Sequence, residues 1–382
     1  MSTARPTTSA ALVSLATAHP PFRMPRAEWL EIADTLTPPE VDRALLTRLA
    51  ERSGIETRWC AAFEEGRHGF YRPNEVPGTA ERMMLWSRAA RALSVDAAQR
   101  ALTDAARAGI TAGSITHLVT ASCTGFAAPG IDAFLIETLG LSRSVSRLNV
   151  GFMGCHAAVN ALAAARATVL ANPNAVVLVA LAEVSSAHFH HTTRLDQLVA
   201  NTLFADGGAA MIVAAESPAT QTRSPALATI VDTHSTLIPH TSEEMAWHIG
   251  DRGFEMTLGA SVPAILEREI RAWVERALAT HGLGIRDIAG WAIHPGGPRV
   301  IDAVAAALEL PESAVAASRA ILRDYGNMSS VTLPFIFERL ARDRAAELRH
   351  DTRSEAGPTP WVGLAFGPGL AGEMIVCHAA RT

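Results

Sequence analysis

Three residues of this sequence have side chains that together can do thiol chemistry, and the first of them is Cys155. It lies in "NVGFMGCHAAVNALAAA", directly after Gly154 and at the start of an alanine-rich segment with helical spacing. The unpaired N–H groups and the dipole of a helix N-terminus favour the thiolate, which is the nucleophilic form of cysteine. Cysteine is also a small apolar residue that is often buried for packing. This segment alone leaves both interpretations open, a nucleophile and a core residue.

His294 and Asn327 are the candidate partners of that thiol. His294 ends an apolar run and precedes Pro-Gly-Gly, so a strand end can project its ring into a cavity. Asn327 follows Gly326 in "DYGNMSS". Taken singly, a histidine bonded within a turn and an asparagine that caps a helix are the simpler interpretations. As a set, cysteine, histidine and asparagine form a known arrangement for nucleophilic catalysis.

Three further stretches carry weaker signals. Phe204, in "TLFADGGAAMIV", is one aromatic residue in an apolar run, which by itself indicates a core position. "HFHH" at residues 188–191 has no neighbouring carboxylate or cysteine to complete a metal site, so no metal is predicted there. "FGPG" at residues 366–369 is too short for a phosphate loop and lacks a following lysine. We expect it to bring backbone close to the site.

The elements that must position these residues repeat along the chain. An apolar run and then a Gly/Pro loop lead to an Ile-Asp pair at residues 131–132. The same order of features leads to a second Ile-Asp pair at residues 301–302. "LNVGFMGCHAAV" is followed in the second half by its counterpart "LRDYGNMSSVTL", and "LFADGGAAMIV" by "AFGPGLAGEMIV". Three matches in the same order indicate a duplicated α/β unit. The boundary is predicted in the Pro-, Ser- and Thr-rich residues 216–227, which gives halves of residues 1–222 and 223–382.

Strands and helices alternate in each predicted half. The apolar residues 175–184 lack period-two alternation, so this strand is predicted to be buried on both faces. Such alternation indicates parallel-type sheets covered by helices. Two duplicated halves that share one helical layer give an αβαβα sandwich. Equivalent loops then meet near a pseudo-twofold axis, Cys155 from one half and His294 and Asn327 from the other.

Composition excludes several classes of protein. The 382 residues are 48% hydrophobic and 19% charged, with a net charge of −5, no lysine and no basic block that would indicate nucleic-acid binding. The N-terminus lacks the apolar core of a signal peptide, and no run of about 18 apolar residues predicts a membrane span. Four unevenly spaced cysteines without a CxxC pair argue against structural zinc. A cytoplasmic protein with reduced thiols is the simplest interpretation.

The motifs "MGCHAAV", "LFADGGAA", "IHPGGPRVID", "YGNMSS" and "FGPGL" resemble, in order, those of type III polyketide synthases. These are the chalcone synthase-like branch of the thiolase fold, so the resemblance implies a thiolase-like αβαβα sandwich. It also implies Cys155 as the nucleophile, His294 and Asn327 as its partners, and Phe204 as a gate at the site entrance. The expected substrates are acyl-CoA and malonyl-CoA, used by a homodimer without carrier protein, other cofactor or metal.

Basic residues for the phosphates of coenzyme A are expected near the entrance. Arg48 and Arg52 are four residues apart and share one face of a predicted helix. They lie where the family places basic residues for the coenzyme, although here they are arginines rather than lysines. A solvated basic face is the alternative interpretation.

The positions that shape the substrate pocket differ from the plant enzymes. Cys123 stands where those have threonine, as is common in bacterial members, and is either a pocket wall or a second thiol. Trp247 replaces a glycine, Met256 replaces a second gating phenylalanine, and His188 aligns with a threonine. Ser329 matches the plant residue.

The tryptophan is expected to restrict the compact foldings that precede ring closure through carbon. Ala128, where the plant enzymes have methionine, is expected to leave room for an alkyl tail. We therefore expect a fatty acyl starter and an alkylpyrone product, with an alkylresorcinol, phloroglucinol or tetrahydroxynaphthalene-type product as the alternative. Three other classes compete: a ketoacyl synthase that initiates fatty acid synthesis, a papain-like hydrolase, and a thiolase-fold protein without activity.

Overall fold

A computed structural model of the chain describes residues 8–63, 69–73, 75–216, 226–350 and 359–380. The α-helices in these ranges are α1 (Arg26–Leu36), α2 (Arg43–Arg52), α3 (Thr79–Ala105), α4 (Ile131–Leu139), α5 (Ala157–Ala171), α6 (Leu195–Leu203), α7 (Val262–Ala279), α8 (Pro298–Leu308), α9 (Glu312–Tyr325) and α10 (Thr332–His350). The strands are β1 (Ala10–Ala18), β2 (Arg23–Pro25), β3 (Thr57–Trp59), β4 (His117–Ser122), β5 (Ser146–Gly151), β6 (Val176–Val184), β7 (Asp206–Ala215), β8 (Ala228–Leu237), β9 (Met245–Gly250), β10 (Gly253–Leu258), β11 (Gly290–Ile293), β12 (Thr359–Gly367) and β13 (Ala371–Ala379).

Nine of these strands form one mixed sheet in the order β11-β12-β13-β8-β1-β7-β6-β4-β5. β4 runs parallel to both β5 and β6, and β11 runs parallel to β12. The other neighbours in the sheet are antiparallel. β1 and β8 pair at the middle, with Ala10 opposite Ile230, so the strands of the first half continue into those of the second. Two small antiparallel sheets, the pair β2–β3 and the hairpin β9–β10, stand outside this sheet.

Both faces of the sheet are covered by helices, as the sequence predicted. Along β6, Leu178 and Ala180 belong to one apolar cluster, whereas Val177 and Val179 belong to another. Successive strand residues point to opposite faces, so both faces of this strand are buried. The continuous apolar run in the sequence has this physical cause.

Three apolar clusters correspond to the three helical layers of the αβαβα sandwich. The first packs α3 and α4 against strands of the first half, and the third packs α7 and α8 against strands of the second. The middle cluster contains α5 and the start of α10, which lie between the two halves. The fold class predicted from the sequence is therefore confirmed.

The two middle helices begin in the same way. A 3₁₀ turn, Gly154–His156, precedes α5, and a second 3₁₀ turn, Ser329–Val331, precedes α10. These are the segments that matched each other in the sequence repeat. The predicted boundary between residues 222 and 223 lies outside the described residues, so the division into halves at that point stays a prediction.

Candidate active site

Cys155 is the middle residue of the 3₁₀ turn that leads into α5, and its residue surface is 7% exposed. Gly154 adopts φ +77°, a conformation that favours glycine. A Cβ at this position would also meet the ring of Pro368. The predicted approach of the "FGPG" backbone to the cysteine therefore depends on a glycine beside the thiol.

His294 directly follows β11, where its backbone N–H donates to the carbonyl of Leu364 over 2.8 Å. This bond continues the β11–β12 ladder and fixes the direction of the side chain. The residue is 1% exposed, and neither ring nitrogen has a hydrogen-bond partner among the described residues. Buried polar groups are nearly always paired, so this ring is available to a bound molecule.

The backbone of Asn327 is hydrogen-bonded to the extended segment at Phe204 through both its N–H and its carbonyl. Its N–H donates to the carbonyl of Leu203, and its own carbonyl accepts from Ala205, each over 2.9 Å. Its side-chain Oδ1 accepts from the backbone N–H of Ser329 over 2.8 Å. The Oδ1 atom is therefore occupied, and Nδ2 makes only a long 3.4 Å contact with the carbonyl of Gly296. The amide thus presents its N–H donors toward the loop that follows His294.

One cavity of about 560 Å³ brings the predicted residues together. Cys155, His294, Asn327 and Phe204 all line it. The rest of its wall is mainly apolar, from α6, β9, β10, α7 and the "FGPG" segment, and includes Val199, Leu203, Met245, Met256, Leu258, Leu266 and Phe366. A cysteine, an unpaired imidazole and a fixed carboxamide in one apolar cavity can support acyl transfer through a thioester.

Cys155 and His294 are both held in their neutral forms in this cavity. Burial raises the pKa of the Cys155 thiol to about 12, although a hydrogen bond with Ser329 lowers it. Burial, followed by the charge of His156, lowers the pKa of His294 to about 3. The sequence argument from the helix dipole favoured a thiolate at Cys155. In the structure desolvation outweighs the dipole, because both groups are enclosed.

The family models of the N- and C-terminal domains of chalcone and stilbene synthases match the two halves of the chain. The N-terminal domain of these enzymes matches residues 2–217, and their C-terminal domain matches residues 229–381. The chain belongs to this family. Its members are type III polyketide synthases, acyltransferases that use malonyl-CoA, so the resemblance seen in the sequence motifs is confirmed.

Two curated relatives and one solved structure show how close this type III polyketide synthase lies to known enzymes. It is 34% identical to the 1,3,6,8-tetrahydroxynaphthalene synthase of Streptomyces peucetius subsp. caesius over 94% of this chain and 90% of the relative. It is 32% identical to the alpha-pyrone synthesis polyketide synthase-like Pks18 of Mycobacterium tuberculosis over 99% and 93%. PKS-I of the brown alga Ectocarpus siliculosus superposes with a TM-score of 0.91 at 30% identity, covering 98% of this chain and all of that one.

Five residues were predicted to line the pocket. Among the described residues that line the cavity, Met256 is the only one of these five. His188 and Trp247 instead border a separate space of about 30 Å³, which Met256 and Phe204 share. Such a volume holds about one water molecule. The synthase therefore has a filled region where the sequence predicted part of an open pocket.

Aromatic packing fills this region. The Trp247 and Phe254 ring centroids are 5.9 Å apart, and the His188 ring stacks on Phe254 at 4.3 Å. The Nε2–H of His188 donates to the carbonyl of Thr124 over 2.6 Å, and its Nδ1 accepts from the backbone N–H of Phe254 over 3.0 Å. Burial lowers the pKa of His188 to about 3, so the ring is neutral. Because its ring is hydrogen-bonded to two backbone groups, His188 cannot change its rotamer without losing these bonds.

Cys123 and Ser329 lie between this filled region and the nucleophile. The Sγ of Cys123 is 3.0 Å from the Oγ of Ser329, and the same serine hydrogen-bonds Cys155. Cys123 also contacts Glu183, whose carboxylate is fully buried at the end of β6. Burial raises the pKa of the Cys123 thiol well above its usual range, so it is a neutral group beside the site.

Sequence reasoning missed Glu183. Its carboxylate accepts from the backbone N–H and hydroxyl of Thr124, from the backbone N–H of Cys123 and from the hydroxyl of Ser330. These bonds join the end of β4 to the turn before α10, and therefore hold Ser329 in place. One signal was available, a single carboxylate closing the otherwise apolar run of residues 175–184.

The predicted coenzyme-binding arginines separate in the structure. Both are exposed on α2, but Arg52 lines the cavity whereas Arg48 is not among its described lining residues. Arg299, in the first turn of α8, lies at the same cavity and was missed. Neither Arg52 nor Arg299 forms an ion pair with any described residue. Two arginine side chains that have no ion-pair partner among the described residues therefore lie beside the cavity.

The histidines of "HFHH" bind backbone carbonyls. His190 contacts the carbonyl of Phe254 at 2.8 Å, and His191 that of Leu36 at 2.5 Å. Because His188 is similarly occupied, the run has no free cluster of ligand atoms. None of the described helices is long and apolar enough to cross a bilayer.

Proposed function

We propose that this type III polyketide synthase loads an acyl-CoA starter onto Cys155, extends it with malonyl-CoA and releases an alkylpyrone. The observation that carries the proposal is the single apolar cavity that contains Cys155, His294 and Asn327. Coenzyme A thioesters are substrates of this family, and we propose that no other cofactor takes part.

Loading begins with Cys155 and His294 both in their neutral forms. The Sγ of Cys155 attacks the thioester carbonyl while His294 accepts the thiol proton, and the C–S bond to coenzyme A breaks. The proton passes from the imidazole to the departing thiolate. Because burial disfavours both charged forms, proton transfer accompanies the attack rather than preceding it.

Extension uses the same imidazole together with the amide of Asn327. Malonyl-CoA binds with its thioester oxygen between the two N–H donors, and loss of CO₂ leaves the bonding electron pair as an enolate. Each donor to that oxyanion contributes roughly 2.7–4 kcal/mol in comparable sites. Phe204 places an apolar surface in the same cavity, which disfavours the carboxylate and not the CO₂. The enolate carbon then attacks the acyl-Cys155 carbonyl, the C–S bond breaks, and the departing Cys155 thiolate takes up a proton from solvent.

The shape of the cavity supports the choice of product. Trp247, His188 and Phe254 fill one side, whereas the main cavity has an apolar wall suited to an alkyl chain. Pyrone formation joins an enol oxygen to the thioester carbonyl and needs a less compact fold than carbon–carbon closure. One relative is named for alpha-pyrone synthesis, in agreement with this product.

A tetrahydroxynaphthalene-type product is the second candidate. It is favoured by the relative named for that product, which is 34% identical over 94% of this chain. The test incubates the purified enzyme with malonyl-CoA alone and with acyl-CoA starters of increasing chain length, followed by mass spectrometry and NMR of the products. A pyrone that carries the starter supports the proposal; an aromatic product from malonyl-CoA alone supports the second candidate. Cys155→Ala is the matched inactive control.

We also propose a cytoplasmic homodimer. Large apolar side chains are exposed in the chain segments next to Cys123 and Cys155, with Phe126 63% and Phe152 44% accessible. Burial of these side chains against a second copy would remove apolar surface from water. The four cysteines are all free thiols, in agreement with a reducing compartment. Light scattering coupled to size-exclusion chromatography tests the dimer, since a monomer mass would contradict it.

A further inference from the structure

Two histidines and one aspartate converge where the end of α7 meets β8. Asp232 and His234 are two residues apart on β8, and His281 lies just beyond the last residue of α7. The Nε2 atoms of the two imidazoles are 3.0 Å apart. The Oδ2 atom of Asp232 is 3.7 Å from Nε2 of His281 and 4.0 Å from Nε2 of His234. Three metal-ligating atoms therefore face one small volume.

These distances fit a shared cation. Zinc–ligand bonds of roughly 2.0–2.1 Å in tetrahedral geometry place the ligand atoms about 3.3 Å from one another. The observed separations lie on both sides of that value, so small side-chain adjustments bring the three atoms onto one ion. Two imidazoles with one carboxylate suit borderline transition metals, whereas Mg²⁺ and Ca²⁺ prefer sites made of oxygen.

The aspartate is already oriented for this role. Its Oδ1 atom is held by Arg166 at 3.2 Å and by the backbone N–H of Thr233 at 2.9 Å. The same arginine donates to the carbonyl of Val231 over 2.6 Å, which fixes the guanidinium. Oδ2 is thereby turned toward the two imidazoles. Outer contacts of this kind orient ligands in metal sites and tune their affinity.

The cluster is accessible from solvent. The side chains of His234, His281 and Asp232 are 20%, 17% and 36% exposed. An ion can therefore enter and keep a water molecule at a fourth position. The alternative is a plain hydrogen bond between two neutral imidazoles, which also gives a separation of 3.0 Å, and the experiment below distinguishes the two.

We propose that Asp232, His234 and His281 bind one divalent transition-metal ion of the zinc class. This site is separate from the condensing chemistry and departs from our expectation that the protein uses no metal. It joins residues 47 positions apart in the chain. The segment between them carries Met245, Leu258 and Leu266 of the cavity wall. A bound ion would therefore fasten α7 to the sheet and stabilise that wall.

The test uses full-length protein without a polyhistidine tag, freed of metal by a chelator. Zn²⁺ affinity is measured by competition with a chromophoric chelator, and Co²⁺ supplies a visible ligand-field spectrum. We expect one ion per chain and a higher thermal midpoint with Zn²⁺. His234→Ala and His281→Ala should each weaken binding at least about tenfold and abolish the thermal shift. Arg166→Ala should weaken it less, since it acts through the aspartate.

Three variants make the result specific. His248→Ala removes an exposed histidine on β9 outside the cluster and should bind as wild type does. Cys155→Ala should also retain the ion, which excludes the reactive thiol as a ligand. His281→Gln keeps a hydrogen-bonding group and guards against a folding defect in the alanine variant. The proposal is overturned if wild type binds no more tightly than the folded histidine variants, or if the chelator-treated protein gives no cobalt spectrum.

Discussion

The indole Nε1 of Trp247 donates a 2.8 Å hydrogen bond to the backbone carbonyl of Cys123. This bond fastens the β9–β10 hairpin to the loop after β4, on the far side of Ser329 from the nucleophile. The same indole contacts His188 edge to face, with ring centroids 5.8 Å apart. One tryptophan therefore both fills space and ties two elements together beside the site.

Removal of that ring should change the product. Trp247→Gly opens the filled region next to Cys123, so the growing chain gains room to fold. We expect longer chains, or a shift from pyrone toward carbon-closed aromatic rings, with loading of Cys155 unchanged. Loss of a buried tryptophan costs about 3–5 kcal/mol, and the partial exposure of Trp247 places this variant toward the low end. The measurement is the product profile with one fixed acyl-CoA.

Trp247→Phe serves as the matched control. It keeps most of the ring volume but loses the hydrogen bond to the Cys123 carbonyl. If space is what limits the product, this variant should keep the wild-type profile. An unchanged profile in a folded Trp247→Gly protein would make Trp247 a purely structural residue and remove the main support for a pyrone.

The two neighbouring thiols should behave differently. We expect Cys155→Ala to abolish the acyl-enzyme and all product, because no other group in the described cavity is a comparable nucleophile. Cys123→Ala should still load, since Cys123 lies behind Ser329 and contacts Glu183 rather than the cavity. Peptide mapping after incubation with acyl-CoA locates the label. Label on Cys123 with Cys155→Ala still active would reverse the assignment.

Local sequence was enough to predict several features of the fold and site. Gly154 followed by an alanine-rich segment predicted a cysteine at a helix start, and the structure has a turn there in which Gly154 adopts φ +77°, a conformation that favours glycine. The apolar run of β6 predicted burial on both faces, and the repeat predicted the layered sandwich. In each case the cause lies within a short segment or in a comparison of two such segments.

Other features depend on contacts between distant segments. Trp247 occupies the space behind the cavity because its hairpin packs on His188 and Cys123, a placement that pattern alone does not contain. The metal cluster joins β8 to the end of α7. The helix dipole that favours a thiolate is a local property, whereas the desolvation that raises the pKa of Cys155 to about 12 depends on the whole enclosure.

Decarboxylation should need both oxyanion donors. His294→Ala and Asn327→Ala each remove one N–H donor, and we expect a loss of roughly 100- to 1,000-fold in CO₂ release from malonyl-CoA. Asn327→Asp is the matched control, since it keeps the acceptor for the Ser329 N–H while it replaces the donor with a negative charge. Release of CO₂ is followed with carboxyl-labelled malonyl-CoA. Unchanged release in both alanine variants would exclude these roles.

Alkylation of Cys155 should depend steeply on pH. Burial raises the pKa of the thiol to about 12 and lowers that of His294 to about 3, so the thiolate fraction grows as pH rises. The rate of iodoacetamide labelling should increase roughly tenfold per pH unit through the neutral range. His294→Ala should change this slope little, because an imidazole that is neutral at these pH values does not stabilise the thiolate by its charge. A rate that is already constant from about pH 6 would instead indicate a preformed thiolate–imidazolium pair.

Arg52 should bind the phosphates of coenzyme A, whereas Arg48 should not. Arg52 lines the cavity and has no acidic partner among the described residues, but Arg48, one helical turn earlier, is not part of the described lining. An exposed charge pair contributes about 0.2–1 kcal/mol, so Arg52→Ala should raise KM for malonyl-CoA up to about fivefold with little change in kcat. Arg48→Ala is the control for loss of a positive charge on the same face and should leave KM near that of wild type.

A malonyl thioester of N-acetylcysteamine, which lacks the phosphates, should show no difference in KM among wild type, Arg52→Ala and Arg48→Ala. Added salt should reduce the difference in KM seen with malonyl-CoA. Equal KM values for both variants with malonyl-CoA, or the same defect with the truncated thioester, would contradict a phosphate contact.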